Sequence, residues 1–184
     1  REMSDQVMRL FEIQPDYDLN LMETGQDLFS ITTGALNGLK EVLEKENPDL
    51  VIVHGDTTTT LAASLAAFYK RIPVAHVEAG LRTRNKYSPF PEEMNRTLTG
   101  RLAELHFAPT DTSRENLLAE ATAEFKIWVT GNTVIDALLS IIKDDYKFGP
   151  EFEGIDMSNR LILVTTHRRE NWGDNMRNIY QALI

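Results

Sequence analysis

Four short segments of this 184-residue chain concentrate the side chains that can move protons or hold phosphate. The first is His54-Gly55-Asp56-Thr57-Thr58-Thr59-Thr60, directly after an apolar run. Glycine permits a tight turn there. Asp56 and the threonines then open a helix whose free N–H groups suit an anion. The alternative is that Asp56 or Thr57 simply caps that helix. The second segment is His76-Val77-Glu78-Ala79-Gly80-Leu81-Arg82. Period-two alternation puts His76 and Glu78 on one side of an extended segment. Glu78 is a candidate acid–base group, or the partner of Arg82 or Arg84 in an ion pair. The third runs from Ser88 to Arg96, with Pro91 suited to a first helical turn and Glu92 and Glu93 placed to favour the helix dipole. The fourth is Thr165-Thr166-His167-Arg168-Arg169-Glu170-Asn171-Trp172-Gly173, where an imidazole and two guanidinium groups follow an apolar run and suit a diphosphate, the alternative being plain surface charge.

The composition narrows the classes. There is no cysteine, so disulfides, thiol catalysis and thiolate metal sites are excluded; a reducing, cytoplasmic location fits. Nineteen Lys and Arg against 28 Asp and Glu leave a net charge of −9, which argues against nucleic acid as a partner. No apolar run approaches the ~20 residues that span a bilayer, and no signal peptide opens the chain. No histidine–carboxylate cluster has metal spacing, so no metal is expected. There is no Gly-x-Gly-x-x-Gly, Walker loop or nucleophile elbow, so no nicotinamide or ATP cofactor is expected either. His106, inside an apolar run, reads as a core histidine.

The elements that must position these groups are short apolar runs at residues 50–53, 74–77, 105–108, 127–129 and 161–165. Their near-continuous apolar character is that of parallel strands buried on both faces. Helical patterns lie between them. Residues 26–46 carry a 3.6-residue period, with Gly34 and Gly38 one turn apart to admit a close neighbour. Residues 61–69 are apolar nearly all round, as in a buried helix. Thr112 with Glu115 forms a candidate capping box. Helices are also expected over residues 4–11, 134–142 and 175–184. Strand–helix alternation implies an α/β fold with a mostly parallel, Rossmann-like sheet. Residues 1–145 read as one domain lacking its first strand–helix unit. Residues 146–159, charged and marked by Gly149, Pro150 and Gly154, read as a linker, and residues 160–184 as the start of a second Rossmann-like domain. The chain starts at Arg1 and stops within a helical pattern, so truncation at both ends is expected.

Taken together, residues 54–60, 76–83 and 89–100, Thr130-Gly131-Asn132-Thr133-Val134-Ile135-Asp136 and Thr166-His167-Arg168-Arg169-Glu170 resemble, in order and interval, the non-hydrolysing UDP-N-acetylglucosamine 2-epimerases. The resemblance runs along essentially the whole chain. It implies a two-domain glycosyltransferase-B-like architecture with a UDP-sugar bound in the cleft. It also implies catalytic roles for the carboxylates of Asp56, Glu78 and Glu92, with Asp56 open between chemistry and holding the cleft in shape. His167 is implied to face the nucleotide sugar, with Arg168 and Glu78 as further substrate contacts. Glu93 is left with the dipole role. A homodimer and an activating second UDP-N-acetylglucosamine belong to the same implication.

Overall fold

The computed structural model describes residues 2–166 and 172–183. It divides into two units, Arg1–Asp136 and Ala137–Ile184. The elements in chain order are α1 (Glu2–Leu10), α2 (Leu28–Glu46), β1 (Val51–His54), α3 (Thr58–Tyr69), β2 (Val74–Val77), α4 (Glu92–Leu102), β3 (Leu105–Ala108), α5 (Asp111–Ala119), β4 (Ile127–Val129), α6 (Thr133–Ile141) and α7 (Asp174–Leu183).

The first four apolar runs are strands, and they pair in the order β1-β2-β3-β4, all parallel. Each pair of neighbouring strands is joined by a helix. The right-handedness of such crossovers puts α3, α4 and α5 on one face. Val53 and Val74 pack there with Ala66, Ala67, Leu43 and Ala103, and Ala108 and Ile127 pack with Leu117 and Ala79. β2 is buried on both faces as expected, with Val74, Ala75 and His76 all buried, but β1 and β4 correct the expectation on the opposite face. Ile52 is 65 % exposed and Trp128 44 %, because the crossover helices lie on the other face.

Local chemistry explains the helix limits. Asp27 caps α2 by accepting from Ser30 N at 2.7 Å, and Asn47 ends it in a left-handed conformation. Gly34 and Gly38 admit the segment before the helix. A Cβ at Gly38 would lie 2.9 Å from Leu19 Cδ1, and one at Gly34 3.4 Å from Leu21 Cδ2. Small residues line α3, with Ala62 and Ser64 fully buried, so it fits between the sheet and α2 and α4. The capping box expected from Thr112 and Glu115 is not used: Thr110 caps α5 by accepting from Ser113 N at 3.2 Å, two residues earlier. Residues 161–166 form no strand, contrary to expectation. Ile162 and Leu163 are 82 % and 96 % exposed, and the described part of that unit holds no strand to share a ladder with them. None of the described helices is long and apolar enough to cross a membrane.

His76 and His106 sit side by side in register on β2 and β3, both buried. The core placement of His106 is thus as expected. Burial and the neighbouring His76 depress the His106 pKa to about 4. A histidine whose pKa falls on folding stabilises the fold above its unfolded value of about 6.5 and loses that contribution as the pH drops towards 4. The urea midpoint is therefore expected to fall steeply between pH 6.5 and pH 4. His106→Phe, which cannot titrate, should reduce the stability lost across that range by about 3 kcal/mol. Parallel titrations of the two proteins check this, and equal slopes would refute it.

Candidate active site

In a parallel sheet every strand delivers its C-terminal residue to the same edge, and ligands bind in the crevice beyond it. β1 ends at His54 and turns through Gly55, whose φ of +73° favours glycine. The two readings of the next residues then separate. Thr57 is the helix cap, its Oγ1 accepting from Thr60 N at 3.2 Å. Asp56 turns away to α4: Arg96 Nη2 donates to its Oδ2 at 2.5 Å, and Asn95 Nδ2 donates to its backbone carbonyl at 2.9 Å.

β2 ends at Val77, and Glu78 takes a left-handed conformation with φ +66°. That turn ends the strand's alternation. His76 is sealed beneath, its Nε2 2.7 Å from Gly55 O, with burial holding its pKa below the ordinary histidine value. Glu78 stays partly exposed. Its Oε2 lies 3.7 Å from His54 Nε2, and Asn132 Nδ2 donates to Oε1 at 3.4 Å. Thr133 Oγ1, beside Asn132, is 3.3 Å from the same imidazole nitrogen. Neither arginine weighed as a partner for Glu78 takes it. Arg82 forms a forked pair with Glu120, at 2.7 and 2.9 Å, and the Arg82 guanidinium holds that carboxyl below the usual carboxylate range. Arg84 Nη2 donates to Asn116 Oδ1 at 3.2 Å.

The segment from Glu78 to Arg84 is packed tightly onto α5. Gly80 has φ +88°, and a Cβ there would lie 2.2 Å from Ser113 O. Asn116 Nδ2 donates to Gly80 O at 3.0 Å. On its other side the segment meets the start of α4. Glu92 is half-buried and has no side-chain hydrogen-bond partner among the described residues. Glu93 lies in the first turn of α4 as expected, and it does more than face the helix dipole. It is 3 % exposed and accepts from Thr83 N at 3.0 Å to each oxygen and from Arg84 N at 2.8 Å. Arg96 Nη1 stands 3.6 Å from Glu93 Oε2.

The structure thus brings Asp56 against α4, and joins the segment after Glu78 to the helix turn that carries Glu92. His167 and Arg168 lie outside the described residues. Asp56 is engaged in an ion pair with Arg96, whereas Glu78 meets only His54 and Asn132 at 3.7 and 3.4 Å. Sequence reasoning placed His54, Asn132, Glu93, Asn95 and Arg96 within the segments it singled out but gave none of them a role in holding the site together. The i, i+3 spacing of Glu93 and Arg96 was the available signal for that pair. Among the described residues no three His, Asp or Glu side chains gather as a metal site.

The family model described as UDP-N-acetylglucosamine 2-epimerase matches residues 1–184. The chain is 57 % identical to the UDP-N-acetylglucosamine 2-epimerase of Escherichia coli K12 and 58 % identical to that of Yersinia pestis, in each case over the whole chain and 50 % of the relative. Among solved structures, it matches the UDP-GlcNAc 2-epimerase of Neisseria meningitidis bound to UDP-GlcNAc, with 62 % identity and a TM-score of 0.72 over 76 % of this chain and 38 % of that one. It matches S. aureus MnaA, solved with UDP, with 49 % identity and a TM-score of 0.90 over all of this chain and 48 % of that one. The chain spans about half the length of the curated relatives it matches.

Two glycines with similar backbone angles separate strain from crowding. Gly131 has φ +81° with nothing within 4 Å of an added Cβ, whereas at Gly80 the added Cβ meets backbone. Gly131→Ala is expected to cost about 1 kcal/mol from left-handed strain alone. Gly80→Ala should cost more than about 3 kcal/mol, because the segment or α5 must move. Chemical denaturation of both variants checks the difference, and equal losses would refute the crowding argument.

Proposed function

The chain belongs to the UDP-N-acetylglucosamine 2-epimerase family, and from that premise we propose that the protein of which it forms part inverts C2 of UDP-N-acetylglucosamine to give UDP-N-acetylmannosamine without net hydrolysis. The observation that carries the reading is the position of Glu78, partly exposed at the C-terminal end of β2 beside the Gly55–Asp56 turn. The likeness to solved relatives described with UDP-GlcNAc and with UDP supports the ligand class.

The hydrogen at C2 has no neighbouring carbonyl and is not acidic in the bound substrate. It becomes acidic as the C1–O bond to UDP breaks and positive charge grows at C1. One carboxylate takes the C2 proton while UDP leaves with the C1–O electron pair, and a C1–C2 double bond forms. UDP then adds back at C1 through its terminal phosphate oxygen, and C2 receives a proton on the opposite face. We assign Glu78 and Glu92 to the two faces. Asp56, tied to Arg96, shapes the crevice between them. His167 and Arg168 are assigned to the departing diphosphate, where fixed cations stabilise developing charge. No redox cofactor or metal enters this scheme.

The homodimer, the activating second UDP-N-acetylglucosamine and the cytoplasmic location implied by the resemblance belong to the same proposal, as does the supply of precursors for cell-surface polysaccharides. The 184-residue chain alone is expected to show negligible turnover, because it spans half of the active relatives' length. Measurable epimerisation by that piece would refute this.

The test is to incubate a protein of the relatives' full length with UDP-N-acetylglucosamine in D₂O and follow the sugar by proton NMR. UDP-N-acetylmannosamine carrying deuterium at C2 is expected. Free N-acetylmannosamine would move the protein to the hydrolysing type. A ligand that binds without change at C2 would leave a sensor or, with an acceptor, a transferase. Glu78→Gln should lower kcat by about 10²–10⁴-fold while UDP still binds.

A further inference from the structure

We propose that Glu93 is a positioning residue for this site, a buried carboxylate that fixes the segments carrying Asp56, Glu78 and Glu92 relative to one another. The inference rests on the functional reading given above. A first-turn carboxylate that serves only the helix dipole does best in solvent, and burying one without partners is costly. Glu93 is nevertheless almost fully buried, and its surroundings are arranged to receive a negative charge.

Its oxygens accept from the backbone N–H groups of Thr83 and Arg84, which pins the far end of the segment that begins at Glu78. The near end is pinned at Gly80 against α5. Glu78 lies between Val77, the last residue of β2, and the Gly80 fastening, so the chain has little freedom to carry it elsewhere. On its other side Glu93 faces Arg96, whose second terminal nitrogen holds the Asp56 carboxylate. The Arg96 Nε is buried without a partner, so the guanidinium is held by these two carboxylates. Glu92 is its immediate neighbour in the same helical turn, and its backbone is fixed by the same contacts. One side chain therefore reaches Asp56 through Arg96, and Glu78 and Glu92 through the chain itself.

The experiment uses the full-length protein with Glu93→Gln and, separately, Arg96→Lys. Glutamine keeps the shape but turns an NH₂ group towards donors. Lysine presents a compact charge that cannot fork between two carboxylates. Each variant is measured for kcat and KM, C2 deuterium incorporation, UDP binding by calorimetry, and thermal unfolding. Misplacing reacting groups by about 1 Å costs about 100-fold, so kcat should fall by about that factor in both variants. KM and the UDP dissociation constant should move by less than about threefold, since ground-state contacts remain. A folded Glu93→Gln protein with undiminished kcat would overturn the inference, as would a raised KM at constant kcat. Failure of both variants to fold would make Glu93 a stability element and equally overturn it. An unmutated protein without C2 exchange would remove the functional reading and this inference together, whereas an active parent with an active Glu93→Gln variant removes the inference alone.

Discussion

All four strands of the sheet run the same way, and the candidate site follows from that constraint. Parallel strands cannot be joined by tight turns; each needs a crossover helix, and each therefore ends at the same edge as its neighbours. His54 and Glu78 come from segments more than twenty residues apart, yet the β1–β2 register aligns His54 with Val77 and so sets the imidazole beside the following carboxylate. Sheet geometry delivers the groups to one place. The polar contacts to α4 and α5 then decide how they point.

Those contacts are unusually concentrated in α4. Four of its residues, Glu93, Asn95, Arg96 and Thr99, are buried. A helix facing a purely apolar sheet would carry leucine or alanine at such positions. Here each polar side chain must find partners, and most find them in the turns after β1 and β2 rather than within the helix. The interior thus grades from the alanine-rich contact of α3 with the sheet to a hydrogen-bonded layer near the strand ends. Geometry near the site is set by directional bonds, which tolerate less displacement than apolar packing does.

Much of this was legible in the residues. Four of the five apolar runs are strands, and the helices fall where periodicity puts them, because a short continuous apolar run or a 3.6-residue pattern reports directly on what an element buries. Residues 161–165 have the same character but lack neighbours among the described residues, and a strand is a property of a pair rather than of a segment. The cap at Thr110 was missed because capping depends on where the chain enters the helix, and Thr112 offered an equally good local motif. The burial of Glu93 was missed for a related reason: adjacent glutamates look alike in sequence, and only the 100° step between helix positions leaves Glu92 half-buried and puts Glu93 under a loop. Arg82 and Glu120 lie 38 residues apart, and nothing local announces their pairing.

Glu78 occupies a backbone region that side chains with a Cβ disfavour by roughly 1–2 kcal/mol. Glycine or asparagine would be more comfortable there. An engineering campaign that ranked substitutions by thermal tolerance alone would therefore be drawn to this position and would discard the carboxylate while registering an improvement. On the function proposed above, the strained, partly exposed carboxylate at this strand end is kept for chemistry at a cost in durability.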